Sequence, residues 1–455
     1  MIAEKFKQQR AFFLSGATLD PRFREKALKK LLRVLKANES LLDEAIFQDF
    51  GKSAYENYST ELATVYAEIK EAICNLGEWS SPGKVPVNLT NFPGKGYIHH
   101  DPFGVCLIIG SWNYPYQLTL GPLVPALAAG NTVVLKPSEL SPASSVALRK
   151  ILSEAFPEEY LMVSEGDADV TTQWLAQPFD KIFFTGSPRV GKIVMKAAAE
   201  HLASVTLELG GKSPCIVTSC ANLKMAARRI VWGKFLNAGQ TCIAPDYVLV
   251  EQSAAQKLLD EMKRQIHLIY GEDPSRSEGF VRIINHRHFD RLAALVDTEK
   301  VFEGGIMDAE RLYIAPTILT NVVPDDPIMQ EEIFGPLLPV ITFTNREEVF
   351  PIVEKHRNPL ALYLFTSDRR FKKEVVRRIP FGGGCINDTL MHFTNPNLPF
   401  GGVGNSGTGS YHGVFGFRCF SREKGVLHKG LWFEPFVKYP PFTGFKKWLM
   451  RLMMG

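Results

Sequence analysis

The sequence has no closely spaced pair of cysteines. Its seven cysteines are scattered over 455 residues, and none forms a CxxC motif. The odd number argues against a disulfide framework, and the missing pairs argue against zinc ribbons and thioredoxin-type redox sites. Scattered thiols are typical of a reduced compartment. We therefore expect a cytoplasmic protein with no metal site.

Long apolar runs and a strong charge bias are also missing. No run reaches the roughly 18 apolar residues of a membrane-spanning helix, and the N-terminal stretch MIAEKFKQQRAFF lacks the apolar centre of a signal peptide. The formal net charge of +4 gives no electrostatic case for nucleic acid. With 45% apolar and 22% charged residues, the chain has a soluble protein's composition. Its length allows two or three domains.

Short apolar runs alternate with helical patterns from Gly104 onwards. Runs such as Val105–Ile109 predict strands that are buried on both faces. The alternation predicts an α/β fold in which helices cover both faces of a parallel sheet. A second α/β block is predicted for about residues 213–387. Helices are predicted for the first eighty residues, and irregular structure after Pro399.

Cys242 stands out because of the stretch around it, GKFLNAGQTCIAP. A helix-like run precedes this stretch and a strand-like run follows it, with Gly239 free to adopt positive φ. A thiol on such a turn suits a nucleophile, which must be exposed and held in electropositive surroundings. The alternative is a small buried core residue, since free cysteine is among the most buried residue types.

Glu208 favours the nucleophile interpretation. It follows the strand-like run at residues 205–207 and precedes Gly210 and Gly211, so nothing bulky crowds it. A nucleophile and a carboxylate that can activate water suffice to form and hydrolyse a covalent acyl intermediate.

The stretch FTGSPRVGK places a glycine turn between a strand and a helix. Gly186 and Gly191 have the spacing of a P-loop, but a P-loop needs a hydroxyl residue after the lysine, where this chain has Ile193. What remains is a helix N-terminus at the end of a parallel strand, which can bind a pyrophosphate. A plain glycine turn is the alternative.

Three more stretches place polar groups at predicted strand ends or turns. Lys136 and Glu139 in LKPSE could bind ribose hydroxyls, or form a solvated charge pair. Asn113 in GSWNYP could stabilise an oxyanion, or serve only as a turn residue. Glu332 and Phe334 in EEIFGP could belong to a site, or to a helix end whose charges face solvent.

In order and spacing, these stretches are similar to the motifs of one family. The chain resembles the NAD(P)-dependent aldehyde dehydrogenases from about residue 100 to residue 410. Its short N-terminus and the run PFGGVGNSGTGSYHG resemble the class 3 branch. The matching motifs are SWNYP, KPSE, FTGSPRVG, LELGGKSP, GQTC, EEIFGP and LPFGGVGNSG.

The resemblance implies a role for each matching residue. It implies that Cys242 is the nucleophile, Glu208 the general base and Asn113 the oxyanion amide. Residues 186–191 would lie at the cofactor pyrophosphate, Lys136 and Glu139 at the adenosine ribose, and Glu332 and Phe334 at the nicotinamide. The implied cofactor site comprises Trp112, Lys136, Glu139, Gly186, Ser187, Pro188, Arg189, Val190, Gly191, Glu332 and Phe334.

The resemblance also implies an architecture and an activity. It implies a dinucleotide-binding domain (1–80 and 101–209), a catalytic domain (210–400), an oligomerisation arm (81–100 with about 405–440) and a homodimer. The implied reaction oxidises medium- or long-chain aliphatic or aromatic aldehydes to carboxylic acids, through a cysteine thiohemiacetal and a thioester. NAD and NADP both stay open as cofactors, although Glu139 could repel a 2′-phosphate. Tyr114, Met391 and Phe400 are expected in the substrate pocket.

Three alternatives remain, and two of them are other enzyme classes. A CoA-acylating aldehyde dehydrogenase would pass the thioester to CoA, but such enzymes generally lack the carboxylate that Glu208 supplies. A P-loop phosphoryl-transfer enzyme is disfavoured by Ile193. The third, a binding or structural protein on an enzyme fold, would be expected to have lost a catalytic residue, and none is lost here.

The C-terminal tail, residues 441–455, ends in TGFKKWLMRLMMG. On a helix, its aromatic and aliphatic residues share one face, and Lys446, Lys447 and Arg451 lie elsewhere. This composition predicts either a segment at residues 443–455 that lies in a membrane interface or a helix packed on protein. The first alternative would make the protein peripheral at a membrane.

Overall fold

A computed structural model describes residues 2–454. Met1 and Gly455, which belong to the predicted ranges 1–80 and 441–455, lie outside the described residues. Over the described part of the chain, no helix is long and apolar enough to cross a membrane.

The first eighty residues are helical, as predicted. Asp20 begins the second helix by accepting a hydrogen bond from the Arg22 N–H at 2.9 Å, with Pro21 in the first turn. The fifth helix follows the fourth through a π-helical turn at Tyr58–Leu62. The helices are α1 (Ile2–Leu14), α2 (Pro21–Ala37), α3 (Glu39–Phe50), α4 (Ala54–Asn57) and α5 (Ala63–Ser80).

A short antiparallel pair follows the helices, and the chain then enters the first large sheet. The pair consists of β1 (Gly83–Val85) and β2 (Gly94–Pro102). The next elements alternate as predicted: β3 (Val105–Ile109), α6 (Gln117–Ala129), β4 (Thr132–Lys136), α7 (Pro142–Ala155), β5 (Leu161–Val163), α8 (Ala168–Leu175), β6 (Lys181–Thr185), α9 (Pro188–Ala199) and β7 (Ser204–Glu208).

Strands β3 to β7 form a parallel sheet in the order β7-β6-β3-β4-β5. All five residues of β3 are buried, which is why its sequence is a continuous apolar run rather than an alternating one. All thirteen residues of α6 are buried as well, as expected of a helix that is apolar on every side.

The second sheet contains seven strands in the order β10-β13-β14-β9-β8-β15-β16. All neighbours in it are parallel except β10 and β13. Its elements are β8 (Pro214–Val217), α10 (Leu223–Phe235), β9 (Tyr247–Glu251), α11 (Gln252–Tyr270), α12 (His286–Ala293), β10 (Val301–Glu303), β11 (Met307–Asp308), β12 (Tyr313–Ile314), β13 (Thr317–Leu319), β14 (Leu337–Phe343), α13 (Val349–Glu354), β15 (Ala361–Phe365), α14 (Arg369–Arg378) and β16 (Gly383–Ile386).

The predicted irregular structure after Pro399 is wrong in part. This region contains β17 (Gly407–Thr408), α15 (Gly413–Cys419), β18 (Ser421–Lys429) and α16 (Gly444–Met454). Strand β18 pairs with β2 over nine residues. The turn-rich composition hid this strand because its partner, β2, lies more than 300 residues earlier in the chain.

Strand β17 places the glycine-rich segment against the end of the first sheet. It pairs antiparallel with β7, so Gly407 faces Glu208. Gly407 has φ 146°, and a Cβ there would overlap the main-chain oxygen of Leu207. A glycine is therefore required for the segment to approach the strand that carries Glu208.

We expect Gly407→Ala to lower the free energy of unfolding by about 1–3 kcal/mol, because the added methyl strains the backbone and pushes the segment away from β7. Gly425→Ala is the matched control, since a Cβ at Gly425 in β18 meets nothing within 4 Å. Urea denaturation of both variants measures the difference. Equal stability of the two variants would contradict the steric argument.

Candidate active site

A cavity of about 1000 Å³ lies where the carboxyl ends of β6 and β7 meet the turn that follows α10. Most of the predicted site residues line this cavity: Trp112, Asn113, Gly186, Ser187, Pro188, Arg189, Glu208, Cys242, Glu332 and Phe334. Tyr114, Met391 and Phe400 line it too, as predicted. Lys136, Glu139, Val190 and Gly191 do not.

The turn after α10 carries Cys242 into the cavity wall. Helix α10 ends at Phe235, and a 3₁₀ turn at Leu236–Gly239 follows. Gly239 has φ 71°, as the sequence suggested, but Asn237 and Ala238 also have positive φ, 55° and 51°. The turn leaves the Cys242 side chain partly exposed. The thiol can therefore be reached from the cavity, and the alternative of a buried core residue is wrong.

The electropositive surroundings expected for Cys242 are not present. Burial raises the pKa of the thiol, and the nearby carboxyl groups of Glu332 and Glu208 raise it further. The main-chain N–H groups of Cys242 and Ile243 act in the opposite direction. The group is therefore a thiol near neutral pH, and it must lose its proton to become a nucleophile.

Asn113 lies next to the Cys242 turn and is buried. Its Nδ2 donates to the main-chain oxygen of Gln240 at 3.0 Å. The following residue, Tyr114, is joined to Thr241 by a hydrogen bond of 2.6 Å between their hydroxyl groups. Two contacts therefore connect the turn after β3 to the two residues that precede Cys242.

Glu208 is the last residue of β7 and is 3% exposed. Neither of its carboxyl oxygens has a hydrogen-bond partner within the protein. Burial raises its pKa well above the ordinary value. A buried carboxyl group without protein partners in a cavity wall is free to exchange a proton with water there.

Glu332 and Phe334 lie on a loop opposite the Trp112 turn. Phe334 has φ 50°, and its ring meets that of Trp112 edge to face, with centroids 5.5 Å apart. Arg291 in α12 holds the loop by donating to the Ile333 oxygen at 2.6 Å. Burial, and then Asp246, raise the pKa of Glu332 to about 8.

The glycine turn at residues 186–191 lies between a strand and a helix, as predicted. Pro188 begins α9, and Ser187 caps it by accepting from the Val190 N–H at 3.4 Å. Gly191 faces inward, where a Cβ would approach a Leu209 side-chain carbon to 2.8 Å. Gly191 therefore allows α9 to pack closely on the residue after β7, rather than touching the cavity.

Lys136 and Glu139 lie at the carboxyl end of β4, beyond the cavity wall. Lys136 is 1% exposed and donates to the Pro137 oxygen at 2.8 Å. Its Nζ is 3.6 Å from a carboxylate oxygen of Glu139, whose side chain is 48% exposed. Burial lowers the pKa of Lys136, and Glu139 opposes that shift.

The cavity suits a dinucleotide with a nicotinamide ring. The α9 N-terminus presents N–H groups suited to an anion. The Thr185 hydroxyl at the end of β6 is buried without a partner in the protein. Phe334 and Trp112 add aromatic surface to the lining of the cavity. Among residues 2–454, no cluster of side chains could hold a metal ion.

Several cavity residues were not found from the sequence. Trp232 directly precedes the stretch around Cys242, and Thr185 directly precedes the glycine turn. His288 packs on Trp112 with ring centroids 5.3 Å apart, and burial lowers its pKa to about 4. Their positions next to recognised motifs could have indicated Trp232 and Thr185. Nothing in the sequence indicates His288.

One cavity of this α/β fold with two large sheets thus brings together a reachable thiol, an amide donor and a carboxyl group that has no hydrogen-bond partner in the protein. The sequence profile of the aldehyde dehydrogenase family matches residues 3–426. The chain belongs to the aldehyde dehydrogenase family, and it oxidises aldehydes with NAD or NADP.

Two relatives and one solved structure show how close the similarity is. The chain is 44% identical to 4,4′-diaponeurosporen-aldehyde dehydrogenase of Staphylococcus aureus, over 99% of this chain and 98% of that one. It is 43% identical to the dimeric NADP-preferring aldehyde dehydrogenase of Rattus norvegicus, over 97% and 98% of the two chains. The solved structure of substrate-bound Staphylococcus aureus AldH superimposes with a TM-score of 0.97 at 43% identity, covering 99% of each chain.

The raised pKa of Cys242 predicts that its alkylation by iodoacetamide accelerates with pH and still rises at pH 9, because only the thiolate reacts. Glu332→Gln should speed the reaction at pH 9, because it removes a charge that disfavours the thiolate. Peptide mass spectrometry over a pH series follows Cys242 separately from the other cysteines.

The exposed Cys220 serves as an internal reference. Its slight burial is outweighed by hydrogen bonds from Ser367, Thr218 and Thr366, which lower its pKa to about 6. Its alkylation should therefore level off near neutral pH. Glu331→Gln, at the exposed neighbour of Glu332, is the control variant. A plateau for Cys242 below pH 8 would contradict the expected profile.

Proposed function

We propose that this chain oxidises bulky apolar aldehydes to carboxylic acids, with Cys242 as nucleophile, Asn113 as oxyanion donor and Glu208 as general base. The proposal rests on one observation: these three side chains line the same cavity. Each comes from a different element: the turn after α10, the turn after β3 and the end of β7.

One part of the cavity surface is suited to an apolar substrate. Aromatic and aliphatic side chains cover it: Leu118, Trp232, Leu236, Met391, Phe393, Phe400 and Tyr411. Such a surface gains from burying a hydrocarbon or aromatic group, at about 25 cal/mol per Å² of apolar area removed from water. This proposal therefore covers medium- and long-chain aliphatic and aromatic aldehydes.

In the first half of the reaction, the Cys242 thiolate attacks the carbonyl carbon of the aldehyde. The oxygen becomes an oxyanion, which the Asn113 Nδ2 and the main-chain N–H of Cys242 can stabilise. One preorganised donor of this kind contributes about 3 kcal/mol. The former aldehyde carbon then loses its hydrogen as a hydride, which a bound NAD or NADP would accept, and this leaves a thioester on Cys242.

In the second half, Glu208 takes a proton from water, and the water attacks the thioester. The carboxylic acid leaves, and the Cys242 thiolate is restored. A positioned general base contributes about 10²–10⁴-fold. The partnerless oxygens of Glu208 support this role, because no protein donor competes with the water.

We propose three groups of contacts with the cofactor. Residues 186–191 would hold the pyrophosphate at the α9 N-terminus, and Trp112, Glu332 and Phe334 would hold the nicotinamide end. Lys136 and Glu139 would bind the adenosine ribose at the carboxyl end of β4, which lies next to β3 inside the sheet. The proposed dinucleotide-binding domain is 1–80 with 101–209, and the proposed catalytic domain is 210–400.

We expect Cys242→Ala to abolish reduced-cofactor formation at 340 nm while cofactor binding, followed by tryptophan fluorescence, persists. Glu208→Gln should form about one equivalent of reduced cofactor rapidly and then turn over about 10²–10⁴-fold more slowly, because the thioester accumulates. The assay compares acetaldehyde, hexanal, benzaldehyde and a long-chain aldehyde with NAD or NADP, and the bulky apolar members should have the highest kcat/KM.

Cys220→Ala, at an exposed thiol outside the cavity, is the control and should keep full activity. Normal oxidation by Cys242→Ala would rule out the nucleophile. Turnover only after CoA is added would favour the acylating class and leave Glu208 without its proposed role.

We further propose a homodimer in which residues 81–100 and about 405–440 form the oligomerisation arm. Strand β18 is an edge strand of the three-stranded sheet β1-β2-β18, over nine residues. A long edge with unpaired main-chain groups is suited to pairing with a second chain.

We propose a third feature, peripheral membrane contact through the tail helix α16. None of its described residues is buried, and Phe445, Trp448, Leu452 and Met454 are each more than half exposed. The tail presents this apolar surface together with three basic residues. That combination favours a bilayer interface with anionic lipids.

We expect deletion of residues 443–455 to reduce co-sedimentation with vesicles containing anionic lipid, because both the apolar face and the three positive charges are lost. Activity toward water-soluble aldehydes should stay unchanged. Trp448→Ser tests the apolar contribution, and Ile193→Ser, at an exposed apolar residue outside the tail, is the matched control. Unchanged sedimentation after the deletion would exclude the tail as a membrane contact.

A further inference from the structure

Asn237 lies between the turn that carries Cys242 and the turn that carries Asn113. Its Nδ2 donates to the main-chain oxygen of Asn113 at 2.9 Å and to that of Gln240 at 3.2 Å. The Asn113 side chain donates to the same Gln240 oxygen. The Asn237 amide therefore bridges the main chain of Asn113 to the Gln240 oxygen, the same oxygen that accepts from the Asn113 side chain.

The backbone at Asn237 is held in a conformation that most residues avoid. Asn237 and Ala238 have φ/ψ of 55°/31° and 51°/35°, which is the left-handed region. Asparagine enters this region at less cost than other residues with side chains. Glu56 accepts from the Asn237 N–H at 3.2 Å, and the Gln240 side chain donates to the Asn237 oxygen at 3.1 Å. Strain held by several contacts next to a site is a pattern associated with function.

We propose that Asn237 is a positioning residue for aldehyde oxidation, whose side-chain amide fixes the direction of the Asn113 amide relative to the Cys242 thiol. The inference rests on the proposed roles of Asn113 and Cys242. Asn237 is 1% exposed and does not line the cavity, so it acts through Asn113 rather than on the substrate.

The chemistry of the two acceptors explains why an amide is needed. Both groups that face Nδ2 are carbonyl oxygens, so the side chain must be a hydrogen-bond donor. An aspartate would place a carboxyl oxygen against two carbonyl oxygens, and an apolar residue would leave one or both without a donor. Lys52 also approaches the Asn113 oxygen, but at 3.4 Å it is the weaker contact.

Two reactions of the Cys242 thiol separate positioning from general damage, and neither needs a cofactor. With p-nitrophenyl acetate, the thiolate sulfur bonds to the ester carbon through an oxyanion, and p-nitrophenolate leaves. With iodoacetamide, the sulfur displaces iodide and no oxyanion forms. The ratio of the two rates at Cys242 therefore reports on the oxyanion donors alone.

Asn237→Gly removes the amide and keeps the left-handed backbone accessible. We expect it to slow p-nitrophenolate release about 10- to 100-fold and to leave alkylation of Cys242 within about twofold. Asn113→Ala removes the oxyanion donor itself and should slow p-nitrophenolate release about 10²–10³-fold, which is the largest loss expected. Adding Asn237→Gly to Asn113→Ala should not slow the release further. Asn321→Gly, at an exposed asparagine with φ 55°, is the control and should change neither rate.

Each outcome decides between the alternatives. An unchanged ratio in Asn237→Gly, or an equal loss in both reactions, would overturn the positioning role. Should that variant fail to fold by its thermal melt, Asn237→Asp, which keeps the size of the side chain, decides by the same ratio. If Cys242→Ala cleaved the ester at the wild-type rate, the proposed role of Cys242 would be wrong. That result differs from a failure of the positioning role of Asn237, so the two failures are distinguishable.

Discussion

The ion pair between Lys52 and Glu61 is the interaction on which the site's geometry depends. Its two charged atoms are 2.7 Å apart, and both side chains are fully buried. The second carboxyl oxygen of Glu61 accepts from the N–H groups of Tyr116 and Gln117, where α6 begins. Burying two charges is offset only when their remaining hydrogen-bonding capacity is used, and removing one partner of such a pair costs about 3–5 kcal/mol.

This buried pair holds the turn between β3 and α6 in place through contacts with residues 113–117. The Lys52 ammonium lies 4.3 Å from the Tyr114 ring centroid and also reaches the Asn113 oxygen. The glycine-rich segment at β17 fixes the opposite side by its approach to β7. Asn113 and Glu208 are thus held by different long-range contacts, so the cavity wall can be rigid although its residues come from distant parts of the chain.

The same burial that holds the site also controls its protons. Burial raises the pKa of Cys242, Glu208 and Glu332, and the carboxyl groups near the sulfur raise its pKa further. The resting site therefore avoids several negative charges in one poorly solvated space. Such perturbed pKa values are typical of groups that exchange protons during catalysis, as the proposed nucleophile Cys242 and the proposed base Glu208 would.

The sequence by itself determined the fold class and the motifs. Short apolar runs such as β3, set between helical patterns, favour strands buried on both faces, and the glycine spacing at residues 186–191 favours a strand-turn-helix unit. Cys242 and Glu208 could be found because small neighbours leave them uncrowded. These properties are local, so neighbouring residues carry enough information to predict them.

Only the tertiary structure decided what surrounds those residues. The pairing of β18 with β2, the contact of Phe334 with Trp112 and the position of Asn237 between two turns join residues that are far apart in sequence. The pKa of a thiol likewise depends on burial and on carboxyl groups from other elements. For this reason, the sequence could not show that the charged groups near Cys242 include the carboxyl groups of Glu332 and Glu208. Distance and desolvation are properties of the packed chain, and no stretch of sequence contains them.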